Sequence, residues 1–263
     1  MCRFLAYRGD PIFLSDLVCA PRHSLVHQSL HAEQAKTGTN GDGFGIGWYG
    51  ERSEPGIYRE VRAAWSDENL RSLCAQVRSR LFFAHVRAST GTSTTRANCH
   101  PFTDGRHLFM HNGQIGGYGR IKRRIEGLIP DELYEMRLGT TDSEAIFLAA
   151  LALGLSDDPV KAMARVLRQT RSLMSDAGID EPLRFTAAVT DGESLWAFRW
   201  ACDGSPPTLC FCEAEGYVVV VSEPIDGRDP GWGEVPKGCT VVARPGQAAR
   251  VECLNEAMAR LAA

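Results

Sequence analysis

The second residue of the chain, Cys2, has the chemistry of a nucleophile if the initiator methionine is removed. The thiol and a free α-amino group would then belong to one residue. An α-amino group has a reference pKa of about 7.7–8.0, so much of it is an unprotonated base near neutral pH. An N-terminal nucleophile beside its own amine needs no separate histidine. The alternative is a small buried residue at the start of an edge strand, and position alone does not separate the two.

Three later segments carry groups that could bind a carboxylate, stabilise a developing oxyanion or supply an acid. Arg87 ends an apolar run and could hold a carboxylate through two parallel hydrogen bonds, although a surface ion pair would use the same residue. Asn112 and Gly113 could supply the two donors of an oxyanion hole, although Asn-Gly is also a common hairpin turn. Asp142 places an acid at a predicted helix start, where such a residue is commonly an N-cap.

These residues fall in order within five short motifs, which are Met1-Cys2-Arg3, His85-Val86-Arg87-x-Ser89-Thr90, Asn98-x-His100-Pro101-Phe102, His111-Asn112-Gly113-Gln114-Ile115 and Thr141-Asp142-Ser143-Glu144. Each motif alone is weak, but five in order are specific. Together they resemble the class II glutamine amidotransferase family, which has the N-terminal nucleophile hydrolase fold. The segments His23-Ser24-Leu25 and Gly41-Asp42-Gly43-Phe44-Gly45 resemble its short stand-alone members, the YafJ-like proteins and the γ-glutamyl amidohydrolase of ergothioneine biosynthesis. The resemblance covers nearly the whole chain.

The resemblance implies a reaction and the residues that carry it. Cys2 would attack the γ-amide of glutamine or of a γ-glutamyl conjugate and form a thioester, with its own freed amine as the base. Asn112 and the Gly113 N–H would stabilise the tetrahedral oxyanion. Water would then release glutamate, and the leaving group would be ammonia or a larger amine. The expected fold is a four-layer αββα sandwich of the α+β class, and no cofactor or metal is expected.

The same resemblance implies how the glutamyl head group is bound. Arg87 would hold the α-carboxylate with Thr90 close beside it, and Asp142 would take the α-amino group. Two positions depart from the family pattern: Ala88 stands where some members have a large aromatic residue, and Gly91 where some have histidine. Both lie in the loop that would close on glutamine.

Two alternatives from other functional classes stay open. The chain could be a catalytically silent member that acts as an amino-acid-binding or regulatory subunit. A zinc module on His23, His27 and His31, spaced four apart, is disfavoured because no acidic or cysteine partner stands out near them. A separate synthase could accept the ammonia, because no acceptor domain accompanies the motifs.

Local patterns predict the elements that must position these groups. Strands are expected at 3–7, 81–86 and 107–111, and hairpins at 45–49 with 56–62, 185–190 with 195–200, and 217–222 with 240–243. Helices are expected over 24–36, 66–80, 145–153 and 159–175. Glycines at every second position from Gly41 to Gly47 leave one strand face bare and predict close backbone packing. This order of elements favours a layered α+β domain.

Composition restricts the remaining classes. The chain has 263 residues, 44% hydrophobic and 23% charged, with a net charge of −3. This is ordinary for a globular protein, favours one domain over 1–263 with Met1 removed, and argues against a nucleic-acid-binding footprint. No apolar run reaches the roughly 20 residues of a membrane span, and no signal peptide is recognised. Nine cysteines, an odd number with scattered spacing, exclude a complete disulfide framework and indicate the cytoplasm.

Overall fold

Two antiparallel sheets form the centre of the molecule. The computed structural model describes residues 2–33, 39–89, 91–225 and 231–261. In spatial order, the seven strands of the first sheet are β11 (Gly233–Glu234), β9 (Cys210–Ala214), β10 (Tyr217–Val221), β1 (Arg3–Phe13), β4 (Arg78–Val86), β2 (Phe44–Trp48) and β3 (Gly56–Glu60). The six strands of the second are β13 (Arg250–Cys253), β12 (Cys239–Ala243), β8 (Leu195–Ala201), β7 (Leu183–Thr190), β6 (Leu108–Ile115) and β5 (Phe102–Thr103).

Helices cover the outer face of each sheet. Those beside the first sheet are α1 (Ser15–Val18), α2 (Leu25–Leu30) and α3 (Glu68–Gln76). Those associated with the second are α4 (Tyr118–Glu126), α5 (Asp131–Tyr134), α6 (Asp142–Ala152), α7 (Pro159–Asp176) and α8 (Leu254–Arg260). Within the described ranges, no helix is both long enough and apolar enough to cross a membrane.

Three apolar cores separate these layers. Successive strand residues point to opposite faces, so Phe4 packs between the sheets while Leu5 packs beneath the first helical layer. Met110 of the second sheet joins Phe4 in the central core, and Phe109 turns outward to stack on Phe147 of α6. The layer order is therefore helices, sheet, sheet, helices. The predicted four-layer α+β sandwich is confirmed.

The register brings the start of the chain beside the end of β4. Strand β1 lies between β10 and β4, and Arg3 pairs with Val86. Cys2, one residue before Arg3, therefore lies opposite the segment that contains Arg87. Because β1 is an interior strand, the segment that follows Cys2 is paired on both sides.

Several sequence expectations differ from the structure. The hairpin of 217–222 with 240–243 is wrong, because β10 pairs with β1 and β9 whereas β12 pairs with β8 in the other sheet. The helix expected over 24–36 ends at Leu30, and its last part, 34–36, lies outside the described residues. The helix expected over 66–80 ends at Gln76, since Arg78 already begins β4. The other two expected hairpins and the helices of 145–153 and 159–175 are confirmed.

Candidate active site

Five of the six predicted site residues line one cavity of about 310 Å³; they are Cys2, Arg87, Asn112, Gly113 and Asp142. Thr90 lies outside the described residues. The cavity opens where the end of β4, the middle of β6 and the start of α6 meet. A larger cavity of about 860 Å³ lies between α7 and α8 and contains none of these side chains. The chemistry of the lining residues, rather than cavity size, identifies the candidate site.

The Cys2 thiol lies against the backbone of Ala88. It donates to the Ala88 carbonyl oxygen and accepts from the Ala88 N–H, each at 3.5 Å. Burial raises the pKa of the thiol, and the Ala88 backbone and the charges of Arg87 and Arg3 oppose that shift only in part. The thiol is therefore protonated near neutral pH, and a base must take its proton when it attacks.

A buried ion pair holds the backbone of Cys2. The Arg3 guanidinium donates from Nη1 to the Cys2 carbonyl oxygen at 3.1 Å and from Nε to Glu223 Oε2 at 2.9 Å. The side chains of Arg3 and Glu223 are both buried, with exposures of 1% and 2%. The other carboxylate oxygen of Glu223 contacts His23 Nε2 at 2.7 Å and accepts from the Glu33 N–H at 3.0 Å. Sequence reasoning missed this pair, because nothing in the local pattern relates residue 3 to residue 223.

Arg87 is a buried cation with only neutral acceptors around it. Its guanidinium donates to Thr92 Oγ1 at 2.7 Å, to the Asp42 carbonyl at 3.2 Å, and to Ser89 Oγ and the Ser93 carbonyl at 3.3 Å. Across the described residues, no carboxylate forms an ion pair with it. The surface-ion-pair alternative is therefore wrong, and the side chain retains its charge for an anionic ligand.

Asn112 and Gly113 lie within a strand. Strand β6 continues to Ile115, and Asn112 and Gly113 pair with Thr186 and Phe185 of β7. The expectation that this Asn-Gly pair ends the strand as a turn is wrong, because pairing with β7 overrides the local turn preference. The buried Asn112 amide nitrogen has no hydrogen-bond partner within the described ranges. A buried donor left in this state is suited to an oxyanion.

Close packing explains the glycine that follows Asn112. A Cβ at Gly113 would lie 2.0 Å from the Arg184 carbonyl oxygen and 2.5 Å from His111 Nε2. Only glycine fits such an approach. The alternating glycines of β2 behave as predicted: a Cβ at Gly45 would lie 2.2 Å from the His100 carbonyl oxygen.

Asp142 stands at the start of α6, but it is not the cap of that helix. Thr141 is the N-cap, and its hydroxyl accepts from the Glu144 N–H at 3.2 Å. The Asp142 carboxylate instead accepts from the Ile115 N–H and the Ser143 N–H, each at 2.8 Å. The simple N-cap interpretation is therefore wrong. The carboxylate is fixed in the cavity wall, where it can receive an amino group.

Three buried histidines that sequence reasoning did not assign lie at the site: His100 and His111 line the cavity, and His85 lies behind His100. The rings of His85 and His100 are 4.2 Å apart, and His111 Nδ1 lies 2.9 Å from Ser143 Oγ. Burial lowers the pKa of His85 to about 3, lowers that of His100 well below its usual range, and lowers that of His111. All three are therefore neutral at neutral pH. None can serve as a positive counter-charge for the oxyanion.

The disfavoured alternative, a zinc module on His23, His27 and His31, lacks the single helix that it would need. Only His27 of the three histidines lies within α2, so they do not share one helix face, although neighbouring rings are 5.7 and 5.9 Å apart. A different group, His23, Glu33 and Glu223, has potential ligand atoms within 4.8 Å of one another. The Arg3 guanidinium is already paired with Glu223 there, and a cation at that position opposes metal binding.

Comparisons with known proteins agree on one family. Residues 15–203 match the family described as "Glutamine amidotransferases class-II". The chain is 38% identical over 229 residues to "Probable glutamine amidotransferase DUG3" of Saccharomyces cerevisiae, with 76% of this chain and 64% of that protein covered. It thus spans less than two thirds of the yeast protein. It is 29% identical over 238 residues to the gamma-glutamyl-hercynylcysteine sulfoxide hydrolase of Mycolicibacterium smegmatis, covering 90% and 92% of the two chains.

Solved structures show the same architecture. A glutamine aminotransferase class-II domain protein from Silicibacter pomeroyi superposes with a TM-score of 0.77 at 36% identity, covering 96% of this chain and 99% of the other. The glutamine phosphoribosylpyrophosphate amidotransferase of B. subtilis superposes with a TM-score of 0.63 at 13% identity, covering 96% and 49%. The second similarity concerns the fold alone.

Proposed function

Because the chain belongs to the class II glutamine amidotransferases, we propose that it hydrolyses the γ-amide of glutamine or of a γ-glutamyl conjugate through a thioester on Cys2. One observation carries the proposal. The Cys2 thiol, the uncompensated Arg87 cation, the unpartnered Asn112 amide and the Asp142 carboxylate all line one cavity. An amino-acid head group needs one cation and one anion, and an attacked amide needs a nucleophile and a donor for its oxygen.

The proposed reaction begins with removal of Met1, which frees the Cys2 amine. Because burial raises the pKa of the thiol, a standing thiolate is disfavoured, and the amine takes the proton as sulfur attacks the amide carbon. The Asn112 amide and the Gly113 N–H donate to the oxyanion. The protonated amine then gives its proton to the leaving nitrogen, and water hydrolyses the thioester to glutamate.

Binding of the substrate head group rests on opposite charges. Arg87 pairs with the α-carboxylate, and Asp142 accepts from the α-ammonium group. We assign Thr90 a place beside Arg87 from its motif alone. The relatives differ in what their names say they act on, so ammonia and a larger amine both stand as leaving groups. A separate synthase would be the acceptor if ammonia is transferred, and the unbridged cysteines favour the cytoplasm as the compartment.

The test is release of glutamate and amine from glutamine and from a panel of γ-glutamyl amides. We expect turnover by the wild type, loss of turnover in Cys2→Ala with the fold intact, and a trace in Cys2→Ser because a hydroxyl is a poorer nucleophile. A diazo-ketone analogue of glutamine should label Cys2 alone among the nine cysteines. Near-normal turnover by Cys2→Ala would refute the mechanism.

Intact mass separates the enzyme from a catalytically silent binding subunit. The mechanism requires a chain that lacks Met1, whereas a silent subunit can keep it. A chain that retains Met1 and still binds glutamine without turnover would support the silent alternative.

A further inference from the structure

Two cysteines face each other across the last pair of strands in the second sheet. In the register of β12 with β13, Cys239 is directly opposite Cys253. The Leu254 N–H donates to the Gly238 carbonyl oxygen at 2.9 Å. The hydrogen bond therefore joins Gly238 and Leu254, the residues next to Cys239 and Cys253 along the two strands. Because hydrogen-bonded and non-hydrogen-bonded positions alternate in antiparallel strands, Cys239 and Cys253 occupy a non-hydrogen-bonded position.

This position has the spacing that a disulfide requires. Directly opposed residues at a non-hydrogen-bonded position have Cα atoms about 4.5 Å apart, with both side chains on the same face. Disulfides span Cα separations of about 4.4–6.8 Å, so closure needs side-chain rotation and no movement of the strands. We propose that Cys239 and Cys253 are a modification site at which a reversible cross-strand disulfide forms by exchange with a low-molecular-weight disulfide.

Accessibility sets the order of the two steps. Cys253 is exposed and Cys239 is half-buried. The Cys253 thiolate attacks the small disulfide, forms a mixed disulfide and releases one small thiol. The Cys239 thiolate then attacks the Cys253 sulfur and releases the second small thiol. The protein pair loses two electrons and two protons, and the small disulfide gains them. Burial and the neighbouring Cys253 raise the pKa of the Cys239 thiol, so the second step accelerates with rising pH.

The other cysteines do not offer an equivalent pair. Cys210 and Cys212 of β9 face Val221 and Val219 rather than cysteines. Cys19 hydrogen-bonds with Cys74, but Cys74 lies on the buried face of α3 and is closed to a bulky oxidant. In the strand registers that the structure describes, Cys239 and Cys253 are the one cysteine pair placed directly opposite.

The bond would fasten the edge of the sheet. Among the described strands, β13 is the outermost of its sheet and pairs only with β12, and Cys253 is also the N-cap residue of α8. A covalent link at this point fixes both the edge strand and the start of the helix. The site lies three strands from β6, so the proposal is independent of the proposed reaction.

The test is oxidation of the full-length chain with oxidised glutathione, followed by peptide mapping. We expect a cross-linked peptide that joins Cys239 to Cys253. Its mass should be two hydrogens below the sum of the two reduced peptides, and dithiothreitol should reverse the link fully. The melting temperature of the oxidised form should rise by roughly 5–10 °C, because the bond closes a loop of about 15 residues.

Serine variants provide the matched comparison. Cys253→Ser and Cys239→Ser should lose both the cross-linked peptide and the rise in melting temperature, while Cys202→Ser, half-buried at the end of β8, should keep both. Three results would each overturn the proposal: a stable glutathione adduct on Cys253 with no closure, a bridge between other cysteines, or an oxidised Cys239→Ser variant that melts like oxidised wild type.

Discussion

The buried pair of Arg3 and Glu223 gives the sharpest test of how the proposed nucleophile, Cys2, is held. The change is Glu223→Gln, which keeps the shape of the side chain and removes its charge. At 2.9 Å, the pair attracts by about 6 kcal/mol at an effective dielectric constant of 20, part of which offsets desolvation. Removing one partner leaves the Arg3 cation buried and unpaired. We expect a loss of about 3–5 kcal/mol in the free energy of unfolding.

A double variant separates stability from positioning. Arg3→Met together with Glu223→Leu replaces the ion pair by apolar side chains, and such replacements are often neutral or stabilising. The contact from Arg3 to the Cys2 carbonyl is lost all the same. We therefore expect stability to return to within about 2 kcal/mol of wild type, while kcat stays reduced by about 10²-fold, the loss that a displacement of about 1 Å can cause.

Urea unfolding and steady-state turnover on the same samples give both readings. The control is Glu193→Gln, which breaks the ion pair with Arg80 at roughly 60% exposure and should cost no more than about 1 kcal/mol. The reasoning fails if Glu223→Gln costs no more than this control. It also fails if the double variant recovers wild-type kcat, since the carbonyl contact would then be irrelevant.

Three further predictions concern the head group, the oxyanion and the buried histidines. Arg87→Ala should lower kcat/KM for glutamine roughly 30-fold or more, the equivalent of about 2–5 kcal/mol. Turnover of 4-aminobutanamide, which lacks the α-carboxylate, should be unchanged by this substitution. Equal losses on both substrates would indicate a structural arginine. Asn112→Ala should lower kcat by about 10²–10³ with little change in KM, and retained kcat would remove Asn112 from the oxyanion hole. Burial lowers the pKa of His85 to about 3, whereas in the unfolded chain it is about 6.5. Above pH 6.5 the neutral ring costs the folded state nothing. Below it, protonation of the unfolded state lowers the free energy of unfolding by about 1.4 kcal/mol per pH unit as the pH falls towards 3. Urea midpoints between pH 7 and 5 should therefore vary less steeply in His85→Phe than in wild type, whereas the exposed control His27→Phe should keep the wild-type slope.

Local sequence signals were sufficient to predict the strand that ends beside the site and the helix that begins there. An apolar run that ends at Arg87 and an acidic helix start at Asp142 are both visible within ten residues, and both stand where expected. The Asn112-Gly113 signal was misleading, since its turn preference is real but weaker than pairing along the whole of β6.

Long-range partners could not be predicted. The apolar runs of β10 and β12 look alike, and periodicity does not say to which sheet a buried strand belongs. Glu223 sits among ordinary loop residues, and its pairing with Arg3 exists only once β10 lies against β1. Which acid stays exposed and which is buried is decided by that topology and not by neighbouring residues.

The interior position of β1 also has a consequence for the timing of synthesis. Arg3 and Glu223 are 220 residues apart in the chain, and β10 must leave the ribosome before β1 acquires its second neighbour. At about 5–20 residues per second, this takes roughly 10–45 s. During that interval the start of the nascent chain has only part of its final contacts. We therefore expect removal of Met1, which the proposed reaction requires, to take place in this interval, before β10 arrives and the sheet closes around β1.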